Sequence, residues 1–269
     1  MSKKTFLLLL AIAFALAAVV ATKMLGDKNT KDTTHTLSLP EYDSVSRIEI
    51  TDSQDSATLI RRENEWEIDG KLADKKKVQN IWDEMDKLQT NGPVARNPKL
   101  HAQFQTDEQN ATAVSFFTKG KEPALKILLG KRTTRFSGQY IRFAGEDTVW
   151  ELEKNVGFLV PANPSLWYDL SLVSLSPSEI SSISFSFPSG TFTLSKKGKS
   201  EEGSELWTLS LREEKQDIKQ EDLMDFFFAL NPLRADRFAD EREQKEFRNK
   251  NPLYTIIITN ATEETIQLN

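Results

Sequence analysis

Cysteine is absent from the 269 residues, and histidine occurs twice. Without thiols there can be no disulfide, thiolate nucleophile, iron–sulfur cluster or thiolate zinc site, and no lipid-modified cysteine at an exported amino terminus. Two histidines leave little material for a histidine-rich metal site or a Ser-His-Asp relay. Glycine is sparse, at 11 residues, and no Gly-x-Gly-x-x-Gly run follows a strand pattern, so a dinucleotide loop is excluded. An excess of positive charge is missing too. The formal charge is −5 and the pI near 5.3, which argues against the clustered Lys and Arg of a nucleic-acid footprint. Lys75, Lys76 and Lys77, like Lys196, Lys197 and Lys199, have acidic neighbours and read as solvated faces.

Only one stretch is long and apolar. Lys3 and Lys4 precede an uncharged run to Thr22. Its length of about 17 residues reaches the lower limit for a bilayer span and overlaps the long end of a signal-peptide core. The leading lysines favour an inside amino terminus, so the remainder is expected outside the cytoplasmic membrane, on its periplasmic face. We expect residues 1–22 to stay as an uncleaved anchor, contacting the membrane through residues 5–22; cleavage near Val19-Val20-Ala21 is the alternative. Residues 23–38 are polar and aperiodic and read as a tether. No second run could span a bilayer.

What is present beyond this point is a pattern used twice. Trp66 lies in a strand pattern, Asp69-Gly70 makes a turn, and Val78, Ile81, Trp82, Met85 and Leu88 recur at three- and four-residue steps, one stripe of a helix over 74–88. Trp207 is followed by Leu223, Phe226, Phe227, Leu230 and Leu233 at the same spacing. Asp74 stands where an N-cap belongs, and Asp217 reads as its counterpart. Asn91-Gly92-Pro93 reads as the stop of the first helix. Alternating strands precede and follow each helix: Ile48 and Ile50 correspond to Ile183 and Phe185. Strands at 112–117 and 125–129 correspond to 254–258 and 265–268. A hairpin, 140–143 and 148–152, turned at Ala144-Gly145-Glu146-Asp147, has no counterpart in the second copy. Residues 160–175, with Trp167 and Tyr168, read as a docked crossover.

These patterns predict an α+β chain of two tandem repeats, each an antiparallel sheet with one packed helix, behind a single N-terminal transmembrane anchor. The divisions are 1–22 anchor, 23–38 tether, 39–174 first repeat with the extra hairpin and crossover, and 175–269 second repeat.

Catalytic chemistry finds few carriers. His35 lies in the tether and His101 alone could serve a relay. Asp74 and Asp217 recur as a carboxylate pair would, yet a helix start accounts for both. Leu129-Gly130-Lys131-Arg132 suggests a phosphate loop only superficially, because Leu125 stands where the first glycine belongs and Arg132 replaces Ser or Thr. Asn110-Ala-Thr and Asn260-Ala-Thr match the glycosylation pattern, which matters only in a eukaryotic secretory route. Trp66, Trp82, Trp150 and Trp207 read as core rather than as a sugar groove. No catalytic, cofactor-binding or metal-ligating residue is therefore assigned, and no cofactor is expected.

The order of motifs, GKLADKKKVQNIWDEMDKL, LKILLGKR, GQYIRFAGEDTVWEL, PSLWYDLSL and DLMDFFFALNPLRADRFAD, resembles the bacterial family called domain of unknown function 4340. The resemblance covers nearly all of the chain after the tether. It implies an exported, membrane-tethered protein associated with ABC-type transport components of the gliding-auxiliary kind, with no catalytic residues to carry over. The expected function is a non-enzymatic accessory or scaffold subunit. An exported ligand- or glycan-binding module and a carboxylate-dependent hydrolase are the alternatives.

Overall fold

The computed structural model describes residues 34–134, 137–201, 203–230, 233–248 and 250–269. The predicted anchor, residues 1–22, and most of the tether lie outside them. Among the described residues no helix is long and apolar enough to cross a membrane. The chain is α+β, mostly antiparallel sheet with a few helices, and divides between Asp169 and Leu170 into two compact units.

In the first unit the strands are β1 (Thr36–Leu37), β2 (Arg47–Thr51), β3 (Ser56–Arg62), β4 (Glu65–Ile68) and β5 (Lys71–Leu72). After helix α1 (Lys75–Met85) come β6 (Leu88–Ala95) and the single-turn helix α2 (His101–Phe104). The unit continues with β7 (Thr112–Phe117), β8 (Leu125–Arg132), β9 (Gln139–Phe143) and β10 (Val149–Leu152). All ten strands form one sheet in the order β1-β6-β10-β9-β8-β7-β2-β3-β4-β5. Period-two alternation explains the layering: Ile48, Ile50, Ala57, Leu59, Trp66 and Ile68 point to one side and are buried, while their neighbours face outward. Helix α1 lies on that buried side through Val78, Ile81, Trp82 and Met85. Asp69 and Gly70, both with positive φ (52° and 71°), turn the β4–β5 hairpin in the primed geometry that suits strand twist.

The second unit contains β11 (Ser171–Val173), β12 (Ile180–Phe187), β13 (Gly190–Lys199), β14 (Glu205–Leu211) and β15 (Glu214–Lys219). A 3-10 turn, Gln220–Leu223, runs into α3 (Met224–Leu230), and β16 (Leu233–Arg234), α4 (Glu241–Arg248), β17 (Thr255–Asn260) and β18 (Thr265–Leu268) follow. Its sheet runs β15-β14-β13-β12-β17-β18, and β11 pairs with β16 in a separate two-stranded sheet. Strand for strand, β11 to β18 repeat the order and pairings of β1 to β8. Even the register agrees. Ile48 stands opposite Leu59 and Phe116, as Ile183 stands opposite Leu194 and Ile258. The core follows suit: Trp207 is buried beneath α3, its ring 5.2 Å from Phe227.

Several local expectations are corrected. Helix α1 ends at Met85, because Lys87 adopts the left-handed φ of 63°, and Leu88 opens β6 instead of continuing the helix. Asn91-Gly92-Pro93 consequently lies within β6 and does not stop the helix. Leu233 likewise belongs to β16. The end of the tether is ordered: Leu37 is fully buried, and its carbonyl accepts the Lys87 N–H at 2.7 Å.

Asp74 does cap α1, its Oδ1 accepting from the backbone N–H of Lys76 at 3.1 Å and of Lys77 at 3.3 Å. Asp217 does not cap α3. It sits in β15, accepts from Thr208 Oγ1 at 2.9 Å and pairs with Lys197. Asp74→Ala is expected to lower unfolding free energy by roughly 1 kcal/mol, measured by urea denaturation. Asp217→Ala, removing exposed contacts only, should change it by less than about 0.5 kcal/mol.

Candidate functional site

The chemistry-bearing side chains are spread over the units rather than converging. His35 precedes β1; its ring lies 4.7 Å from Phe143 and 5.3 Å from Trp150, and its backbone exchanges two hydrogen bonds with Thr90. His101 Nε2 donates to the carbonyl of Asp147 at 2.8 Å, a bond that keeps the proton on Nε2 and brings no nucleophile beside the ring. This contact ties α2 to the turn between β9 and β10. Arg142 does the same from inside, donating from Nε to the Thr106 carbonyl at 2.8 Å and from Nη1 to the Glu146 carbonyl at 3.2 Å. Asp74 caps a helix of the first unit and Asp217 lies on a strand of the second, so a structural role accounts for each.

Carboxylates with resolved shifts all move downward. Glu243 is drawn to about 2 by hydrogen bonds from Arg237, at 2.6 and 2.7 Å, and from the Asp240 backbone N–H. Asp217 is lowered by hydrogen bonds from Lys197 and Thr208, and Glu179 by those from Ser176. A general acid working near neutral pH needs the opposite shift, from burial or a like charge. Among the described residues no group of three or more His, Cys, Asp or Glu side chains is placed to hold a metal ion.

Gly130 has a packing role instead of a phosphate role. It lies in β8, where an added Cβ would strike the Phe104 carbonyl and come within 2.7 Å of Thr106 Cγ2. The strand and the residues around α2 approach too closely for any side chain.

All five tryptophans are buried, and Trp167 reaches a surface groove only as part of its floor. The large side chains that do meet water are others. In the first unit Phe158 and Leu166 are 68% and 52% exposed and flank a shallow groove with Lys77, Asn80 and Pro161, floored by the buried Leu159 and Trp167. Lys77 Nζ donates to the Leu166 carbonyl at 2.7 Å and closes one end. In the second unit Phe228, Phe247, Leu253 and Tyr254 are each at least 65% exposed. Sequence patterning did not single these out, because an exposed apolar residue in a loop or off a helical stripe has no periodic signature. What the surface offers chemically is apolar contact.

The chain is built from two β-rich α+β units, and several large apolar side chains of each meet water. The chain belongs to the family described as domain of unknown function (DUF4340), whose sequence profile matches residues 66–252. No curated protein and no solved structure gives a significant match.

Two measurements check these assignments. Gly130→Ala should destabilise the fold by about 1–3 kcal/mol, since backbone must shift to admit the methyl group; denaturant unfolding reads this. For Glu243 the folded pKa lies below the ordinary value of 4.5. Its contribution to the start of α4 is therefore present above pH 4.5 and lost as the pH falls toward 2. Amide exchange at residues 241–244 should quicken across that window and become pH-independent, beyond intrinsic exchange chemistry, in Glu243→Gln.

Proposed function

We propose that this chain is a membrane-tethered, exported accessory or scaffold protein of an ABC-type transport system, working by contact rather than catalysis. In this reading residues 1–22 are the single-pass anchor in the bacterial cytoplasmic membrane and the rest lies on the periplasmic face. The ectodomain is a duplicated α+β unit: each copy is an antiparallel sheet with one principal helix, and the first is enlarged by β9 and β10.

The observation that carries the reading is the pair of exposed apolar side chains, Phe158 and Leu166, placed over a buried floor of Leu159 and Trp167. Apolar area left in water next to a packed floor is unfavourable unless a partner covers it, at about 25 cal/mol per Å² of apolar surface. Family membership, the N-terminal apolar run with its leading lysines, and the sequence motifs support the compartment and the transporter association.

Crosslinking in intact cells, followed by purification of the full-length protein from membranes, tests it. Transporter subunits should co-purify, and their recovery should fall at least several-fold in Phe158→Ser, whose exposed site leaves folding intact, and when residues 1–22 are exchanged for a cleavable signal. A protein found free of the membrane with no transporter component attached would overturn the proposal.

A further inference from the structure

The groove of the first unit is lined by five apolar residues, Asn80 and Lys77, without a carboxylate. Its one charge goes unanswered. Lys77 Nζ donates to the Leu166 carbonyl, a neutral partner that leaves the positive charge whole. The surroundings add to that charge: Lys75, Lys76 and Lys77 fill the first turn of α1, which holds no acidic residue, at the positive end of the helix dipole. Asp74 offsets part of it from the cap. Of the three lysines, Lys75 alone meets an acid in an ion pair, Glu65 at 3.9 Å. Lys76 and Lys77 stay exposed and without one among the described residues.

The sides of the groove are held in place by hydrogen bonds of their own. Trp167 donates its indole N–H to the Pro161 carbonyl at 2.8 Å and closes the loop that carries Leu166. The Asp74 N–H donates to the Trp167 carbonyl at 2.7 Å and ties that loop to the start of α1. The turn that presents Phe158 hangs from Gln139 of β9, whose Oε1 accepts the backbone N–H groups of Val156 and Gly157 at 3.0 and 2.8 Å. A groove formed in advance needs little ordering on binding, and its volume of about 500 Å³ lies within the range of recognition pockets.

Asn80 favours one form of occupant. Its amide offers both donors and an acceptor, untaken among the described residues. An extended peptide presents an N–H and a C=O at each residue to such a group, whereas the interior of a helix has already paired its own.

We infer that the groove holds a short extended segment of a partner protein in which a large apolar side chain is followed, within two positions, by Asp or Glu; this rests on the groove being the contact surface of the accessory protein proposed above. The apolar side chain enters between Phe158 and Leu166 onto Leu159 and Trp167. The carboxylate meets Lys77, and Asn80 pairs with the main chain between them. An ion pair at an exposed rim contributes selectivity more than affinity. Discrimination between acidic and neutral segments is therefore the property to measure.

The probe is the peptide acetyl-Gly-Leu-Phe-Asp-Glu-Gly-amide bearing a fluorophore, titrated at low salt with the full-length chain in phosphatidylcholine nanodiscs and read by anisotropy. Its control carries Asn and Gln in place of Asp and Glu. The acidic peptide should bind saturably below about 1 mM and at least roughly fivefold more tightly than the control, a preference that fades as salt is raised. Phe158→Ser should weaken both peptides at least about fivefold. Lys77→Gln should abolish the preference with the melting curve unchanged, and Lys77→Arg should restore it. Absence of saturation at about 1 mM, equal binding of the two peptides, or a preference that survives Lys77→Gln would overturn the inference. Repeating the membrane crosslinking separates it from the reading beneath it. Transporter recovery that falls in Phe158→Ser but not in Lys77→Gln would overturn the inference and leave the accessory role standing, and a fall in both variants supports the two together. Recovery unaffected by either variant would overturn both.

Discussion

Each unit depends on one burial: a tryptophan on the third strand of a meander, sealed by the helix that follows it. Trp66 and Trp207 are both inaccessible to solvent. Trp66 still satisfies its indole N–H by donating to Tyr42 Oη at 3.0 Å, and Tyr42 meets Trp82 of α1 edge-on with centroids 4.8 Å apart. Trp207 donates to Gln220 Oε1 at 3.2 Å, which fixes the turn that launches α3. Helices of 11 and 7 residues are too short to persist alone in water. They exist because the sheet gives their apolar stripe a surface, and the sheet keeps one dry face because they cover it. Burying each large side chain contributes on the order of 1.5–3 kcal/mol, so the strand–helix pair is mutually stabilising.

That dependence explains which parts of the architecture were legible in the amino-acid order. Alternation located β2 to β4 closely, because each has one dry and one wet face, whereas β7 to β10, buried on both faces over much of their length, were found as apolar strand-forming runs between turn signals. The repeated stripe located both helices. It also misled at Leu88 and Leu233, which continue the helical spacing while belonging to strands β6 and β16. Spacing alone does not register a left-handed residue such as Lys87 between two elements. Asp217 misled for a related reason: an acidic residue ahead of an apolar stripe reads as a cap, and nothing in its neighbours announces that β15 extends to Lys219. Strand β1 escaped notice since two residues cannot display a period.

The candidate surface was less legible than the fold. Exclusion of thiol, metal and histidine chemistry follows from residue types present or absent, which order alone reveals. Exposure of Phe158 is different. It is decided by which neighbours the fold brings over a side chain, and Phe158 stands open while Leu159 beside it is buried.

Strand β10 has a further consequence for how the first unit assembles. It pairs with its sequence neighbour β9 and also with β6, more than fifty residues back, while β7 has already inserted beside β2. Loop-closure entropy must be met before such distant partners contribute, and topologies rich in them fold slowly. The last strand to arrive is thus a latch: only when it seats are β6 and β1 joined to the main sheet. The second unit has two long returns, β11 to β16 and β12 to β17, against three in the first, and with fewer such closures it is built to reach its final topology sooner.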